Sequence, residues 1–292
     1  LKHWARHFLK SYIGFSLFWS LLLIFASAEL MYRFLLGRQM PLAIALIMLT
    51  IYFLQSKRYW LLSLVSFVFV WLYSGFVIQS FIIFTYWWID RLFAKKWDYK
   101  LILYPIIGTF AGLLVNPYFP NNLSSLYIQV FKVNILSNLY NVEWRPWPLV
   151  EFVKNNIVAL ICLLLSLFAI IKNKKMAKAQ AFFLALSFFF LIYAFVSRRM
   201  QEYFIPFAIL ASAFIVNDCL QMLEKEKKVK AISALKISGT VLIILIASLN
   251  FAILKKEYLD TEFFHNYNGC AEWMKSSIPK GSLVFINAYA FP

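Results

Sequence analysis

Trp60-Leu-Leu-Ser-Leu-Val-Ser-Phe-Val-Phe-Val-Trp-Leu-Tyr-Ser-Gly-Phe-Val-Ile-Gln-Ser-Phe-Ile-Ile-Phe-Thr-Tyr-Trp-Trp-Ile-Asp90 is the stretch on which the fold turns. As a single helix rising ~1.5 Å per residue it would be about 45 Å long, against about 30 Å of bilayer hydrocarbon. Tyr73-Ser74-Gly75 at its centre suits a tight turn. The run is therefore either one steeply tilted crossing or a hairpin of two short helices, and every later segment changes sides with the choice.

Charge decides between them, because the cytoplasmic flanks of membrane helices carry an excess of Lys and Arg. With a hairpin at 73–75 and the N-terminus cytoplasmic, the short inner segments hold 18 of the 29 Lys and Arg and the much longer outer segments hold 11. A single crossing divides them 14 to 15, with no bias. The hairpin is the reading that the charges support.

The rest of the composition points to lipid as the solvent. Hydrophobic residues make up 62% of the 292, aromatics 20% and charged residues 14%. Ordinary soluble domains carry about 45–50% apolar and about 25% charged residues. The net charge of +16 would suggest nucleic acid in a soluble protein, but here the basic residues cluster between apolar runs, which excludes that partner. Three cysteines without a C-x-x-C spacing give neither a disulfide framework nor a metal knuckle.

These features predict an all-α integral membrane protein with about nine transmembrane helices, two of them the short hairpin. The apolar runs are Tyr12–Leu30, Pro41–Leu54, Trp60–Asp90, Leu101–Val115, Phe152–Ile171, Ala181–Val196, Tyr203–Leu223 and Leu235–Leu254. The N-terminus is expected in the cytoplasm and the C-terminus outside. Residues 1–254 form the bundle, with an outer loop at 116–151 that holds a surface helix over Leu123–Leu136. Residues 255–292 read as the start of a small αβ extracytoplasmic domain: a helix at Gly269–Ser277 with Trp273 inward, a turn at 279–281 and a strand from Ser282. The chain reads as cut at both ends.

Polar groups at the outer ends of these helices are the candidates for chemistry, since a charge in hydrocarbon costs about 2.5–3.5 kcal/mol or more. Arg198 and Arg199 follow an unbroken apolar run, with Glu202 close behind; Arg33 and Arg38 flank the start of the second run. Guanidiniums at one depth can clamp a phosphate through their planar forks. They can also snorkel to lipid headgroups, with Glu202 pairing Arg198 or Arg199. Glu143 and Trp144 suit a sugar, the carboxylate for hydroxyls and the indole for stacking; an aromatic belt is the plainer alternative. Asn116 and Tyr118 either end a helix or face an outer cavity. Glu29 is expected to pair with Arg33 at i+4. His3 and His7 have i, i+4 spacing but lack the following Glu of a zinc motif, so no metal site is assigned.

Several motifs occur in one order: Gly37-Arg38-Gln39, Trp71-Leu-Tyr-Ser-Gly-Phe76, Gly112-Leu-Leu-Val-Asn-Pro-Tyr-Phe-Pro-Asn-Asn122, Val142-Glu143-Trp144, Ser197-Arg198-Arg199, Glu202-Tyr203-Phe204-x-Pro206-Phe207 and Ala271-Glu272-Trp273. Across essentially the whole chain they resemble a family of bacterial polytopic membrane proteins similar to the GT-C superfamily of glycosyltransferases. The resemblance implies a protein of the bacterial inner (plasma) membrane that takes sugar from a polyprenyl-phosphate carrier at the outer face. It implies that Arg38, Arg198 and Arg199 hold the carrier phosphate, with Asn116, Tyr118, Glu143, Trp144 and Glu202 toward the substrate. Glu143 or Glu202 would bind sugar or a divalent metal ion and are the catalytic candidates within this chain. The superfamily's acidic catalytic residue is expected upstream of Leu1, and an acidic stretch near the family's C-terminal Phe-Pro is replaced here by Asn287-Ala288-Tyr289-Ala290. A transporter or flippase, or a non-catalytic assembly protein for lipid-linked envelope substrates, is the alternative; a transporter would be expected to show discontinuous helices or midplane charge.

The hairpin is testable by labelling in intact cells, in a Cys270→Ser background. Ser74→Cys is expected to react with a membrane-impermeant maleimide from outside, and Lys96→Cys only after permeabilisation. A single crossing would leave position 74 unreactive and expose position 96.

Overall fold

The helix Gln201–Gln221 (α10) is the axis of the molecule, because its side chains are apolar on every face and so must be surrounded. Tyr203, Phe204, Ile205, Phe207, Ala208 and Ile209 are all buried. They pack against Leu149–Asn173 (α8) and Lys178–Val196 (α9). The structure is a computed structural model that describes residues 16–128, 145–173, 176–221, 225–256, 269, 272–280 and 282. The remaining helices are Ser16–Phe25 (α1), Ala28–Leu35 (α2), Met40–Gln55 (α3), Tyr59–Leu72 (α4), Phe76–Ala94 (α5), Lys100–Leu114 (α6), Asn121–Tyr127 (α7) and Lys225–Leu254 (α11).

Among the described residues the fold is helical, with no strand. Four helices are long and apolar enough to cross a membrane: Leu149–Lys172, Lys178–Val196, Arg198–Leu220 and Ile237–Leu254. The pair α1 and α2 makes a fifth if counted as one broken span. Helices α3, α4 and α6, of 16, 14 and 15 residues, are apolar but shorter than the about 20 that a perpendicular crossing needs. The expected surface helix is seen only as α7, since 129–144 lie outside the described residues. Most of the expected C-terminal strand lies outside them too. Residues 272–277 are helical as expected. Trp273, however, is 61% exposed rather than inward; this short helix has no described element packed over the indole.

Two features depart from the sequence pattern. The run Tyr12–Leu30 is not one straight helix: α1 ends at Phe25 and α2 leaves it at 85°. Ser27 explains the break, being extended at φ −151° and ψ 136° with its hydroxyl accepting from the Leu30 amide. The carbonyl of Phe25, freed by the break, accepts instead from Asn250 Nδ2 of α11 at 2.7 Å. Both new backbone ends thus find partners, as a low-dielectric surround requires. The segment Met31–Met40, expected to be non-membrane connection, is half helix, since α2 continues to Leu35.

The Trp60–Asp90 run does break at 73–75, and the two halves fold back on each other. Lys57, just before α4, lies 3.8 Å from Asp90 near the end of α5 and 3.0 Å from Asp98. Lys178 at the start of α9 completes the layer, 2.7 Å from Asp90 and 3.0 Å from the Tyr86 hydroxyl. Burial alone would raise the Asp98 carboxyl, but hydrogen bonds from Tyr59 and Lys57 hold it below its usual value. The Asp98 hydrogen bond in turn raises Lys57. This ionic layer fastens the α3–α4 turn, α5, α6 and α9 at one end of the bundle.

The α4–α6 contact rests on small residues. Gly108 and Gly112, four apart on α6, face the backbone of α4 at Ser63 and Phe67. Such spacing lets apolar helices approach closely where no hydrophobic drive separates lipid from side chain. A Cβ on Gly108 would stand 2.0 Å from the Ser63 carbonyl oxygen, which cannot swing aside. Gly108→Ala is therefore expected to destabilise the purified protein by about 3 kcal/mol, read as a lowered unfolding midpoint. Thr109→Ala on the same helix is the control.

Candidate functional site

At the opposite end of the bundle from Lys57, each helix terminus contributes a polar group, and the chain's connectivity fixes which ones meet. Arg33, in the last turn of α2, is buried and held by two carboxylates. Its Nε donates to Glu29 Oε1 at 2.8 Å, the i, i+4 pair expected from the sequence. Its Nη1 donates to Glu202 Oε1, from the first turn of α10 and 169 residues away. All three side chains are 7% exposed or less. Glu29 and Glu202 each sit in the first turn of their helices, where the backbone N–H groups favour negative charge.

Glu202 is thus engaged by Arg33 of a distant helix, a partner the sequence reading did not name. Next to it, the Tyr203 and Tyr73 hydroxyls stand 3.0 Å apart. This contact brings the hairpin tip to the start of α10. Tyr73 is buried.

Arg198 and Arg199 lie in a short 3₁₀ turn, Arg198–Met200, between α9 and α10. The Arg198 amide and its Nε both donate to the Arg145 carbonyl, at 3.1 and 3.3 Å. The guanidinium lies 4.0 Å from the centroid of Trp147. This docks residues 145–147 over the 3₁₀ turn, so Arg145 and Arg198 share one place although 53 residues separate them. The layer brings Arg198, Arg199 and the Arg145 backbone to the same end as Arg33, Glu29 and Glu202, and Glu151 in the first turn of α8 lies at that end too.

Arg38 is exposed on the turn between α2 and α3, beside Gly37, whose φ of +63° sets the turn. Asn116 uses its side chain on its own loop, Oδ1 accepting from the Tyr118 amide at 2.9 Å. Tyr118 is 76% exposed. Both lie on the loop that follows the end of α6 at Leu114. Glu143 and Trp144 lie outside the described residues. Among the described residues no three His, Cys, Asp or Glu side chains group as metal ligands.

Among neutral groups the sequence reading took up Asn116, Tyr118 and Trp144 and passed over others. Tyr73, Asn156, Ser197, Tyr203 and Gln201 are all buried at this end. Asn156 could have been found, as an amide inside an apolar run whose cost must be met by a partner.

The chain matches no protein-family model and no curated protein sequence. The resemblance to GT-C proteins therefore stands on the motifs quoted above, and the site on its own geometry.

Removing Arg33 tests the ionic core. Arg33→Met leaves two carboxylates buried beside each other and is expected to cost about 3–5 kcal/mol. Adding Glu29→Gln and Glu202→Gln to Arg33→Met is expected to restore most of that loss, measured by thermal unfolding in detergent. A destabilised triple variant equal to the single would show that packing, and not charge, is what Arg33 supplies.

Proposed function

We propose that the chain is a GT-C-like membrane glycosyltransferase of the bacterial inner membrane, using a polyprenyl-phosphate-linked sugar at the outer face. In this reading the chain crosses nine times, with α4 and α5 the short hairpin, its N-terminal side cytoplasmic and its C-terminal side outside. The segment after Leu254 begins an extracytoplasmic αβ domain. The Lys57 layer is then cytoplasmic and the Arg33 layer extracytoplasmic.

One observation carries the proposal: Arg33, Arg198 and Arg199, from distant stretches of sequence, lie together at one end of an apolar bundle. A lipid-linked donor must hold its phosphate at the interface while its isoprenoid tail lies among helices. Arginine suits that phosphate through its planar fork, and the Trp147 ring holds Arg198 in a fixed plane at the rim. Arg198 and Arg199 are the phosphate ligands, with Arg38 an outer contact. Asn116 and Tyr118, on the loop after α6, border the approach. Glu202 positions Arg33. Glu143 and Trp144 remain the candidates for the sugar, and Glu143 for a divalent metal ion if one takes part.

A transporter for lipid-linked substrates is the second reading, and the 85° break between α1 and α2 is what favours it. Discontinuous helices are a common feature of substrate sites in transporters.

Reconstituted full-length protein with Arg198→Ala and Arg199→Ala is expected to lose at least about 100-fold in sugar transfer from polyprenyl-phosphate-sugar while still inserting. Full activity in that variant ends the assignment. Movement of the lipid-linked sugar across the vesicle membrane without transfer supports the transporter instead.

A further inference from the structure

Below the arginines lies a second, neutral set of polar groups. Asn156 of α8 and Gln201 at the start of α10 are buried to within 1% and meet across the helix interface, Asn156 Nδ2 to Gln201 Oε1 at 3.3 Å. That contact leaves Asn156 Oδ1 and Gln201 Nε2 buried with no hydrogen-bond partner among the described residues. Asn156 Nδ2 also donates to the Phe152 carbonyl at 2.9 Å, which fixes the orientation of that amide and, through the 3.3 Å contact, of Gln201. Ser197, 3% exposed and one turn before Gln201, has its hydroxyl in the same condition. So does the indole N–H of Trp147, the ring beneath Arg198.

Each such atom costs about 1–3 kcal/mol, and those of Asn156 and Gln201 belong to side chains in contact with one another, so a polar ligand that paired them would remove that cost. Their chemistry is specific. The set offers two N–H donors, one carbonyl acceptor and one hydroxyl that does either. An anion accepts only, and the amide carbonyl would repel it. Adjacent hydroxyl groups donate and accept at once and match all four. Residues 145–147 are held at this end of the bundle by the Arg145 carbonyl and the Arg198–Trp147 stack, with Trp147 packed against the buried core.

We propose that Trp147, Asn156, Ser197 and Gln201 form a hydroxyl-recognising subsite for a sugar ring. The subsite deepens the reading above, and rests on it only for the idea that the sugar arrives on a lipid phosphate. The two parts of the substrate are divided by chemistry: guanidiniums outside for the phosphate, neutral amides and hydroxyls inside for the ring.

The full chain in lipid nanodiscs, heated while unfolding is followed by tryptophan fluorescence, tests the assignment with soluble probes. These are the methyl glycosides of glucose, galactose, mannose and N-acetylglucosamine, and inorganic phosphate. At least one glycoside is expected to raise the midpoint saturably by about 2 °C or more. Asn156→Leu with Gln201→Met is expected to remove that rise, and Ser197→Ala, which deletes only a hydroxyl, to weaken glycoside binding about tenfold. General stabilisation by excluded polyols acts equally on wild type and variants, so equal shifts overturn the subsite, as does no shift with any glycoside. Arg198→Ala with Arg199→Ala is expected to keep the glycoside effect and lose that of phosphate. Retained phosphate stabilisation in that double variant counts against the carrier-phosphate reading alone.

Discussion

Arg33 is the one side chain on which the outer half of the structure depends. A guanidinium taken out of water is tolerable only with counter-charges and several hydrogen bonds. Glu29 and Glu202 supply both, and in doing so they seat α2 against the start of α10, directly after the 3₁₀ turn that carries Arg198 and Arg199. Satisfying the charge and joining α2 to α10 are the same event.

The same constraint operates throughout the bundle, where no water is at hand for a stray polar group. Ser166 and Ser212 share a hydrogen bond at 2.8 Å between α8 and α10, and Gln79 reaches Thr50 at 2.8 Å between α5 and α3. These neutral rungs join helices without adding charge. The charged groups are pushed to the two ends, and the ends differ. Around Lys57, two lysines, two aspartates and two tyrosines form a linked set that ties helices together. Around Arg33, one guanidinium is shared by two carboxylates from different helices.

Much of this could be read before any coordinates. The helices α3, α6, α8, α9 and α10 begin and end within a few residues of the apolar runs, because hydrophobic length is a strong signal. The hairpin was legible through charge counting, and the Lys57–Asp90 contact closes it. What escaped has a common cause: it depends on pairing between distant residues or on small and neutral side chains. The break at Ser27 is a single cap in an otherwise unbroken apolar run, and Asn250 rewards it from 223 residues away in sequence numbering from Ser27. Gly108 and Gly112 carried a signal that went unread, since four-residue spacing of glycine in an apolar helix marks a close helix contact. At the candidate site, the arginines and Glu29 were visible as charges in the wrong solvent. Asn156, Ser197 and Gln201 carry no charge, and only burial singles them out.

The space between the two polar ends argues for chemistry on one side of the bundle. Phe69, Phe182, Phe183, Phe190, Phe204 and Phe207 are fully buried there, with Phe190 stacked on both Tyr203 and Phe207. A substrate passing from the Arg33 end to the Lys57 end would have to part this aromatic packing and then break the Lys178–Asp90 and Lys57–Asp98 pairs. A substrate that is held at the rim, reacts there and leaves the same way disturbs none of them. The break in α1–α2 lies above this aromatic layer, beside Arg33, so its angle serves the rim. It places Glu29 and Arg33 where Glu202 can reach them, a purpose that needs no passage through the bundle.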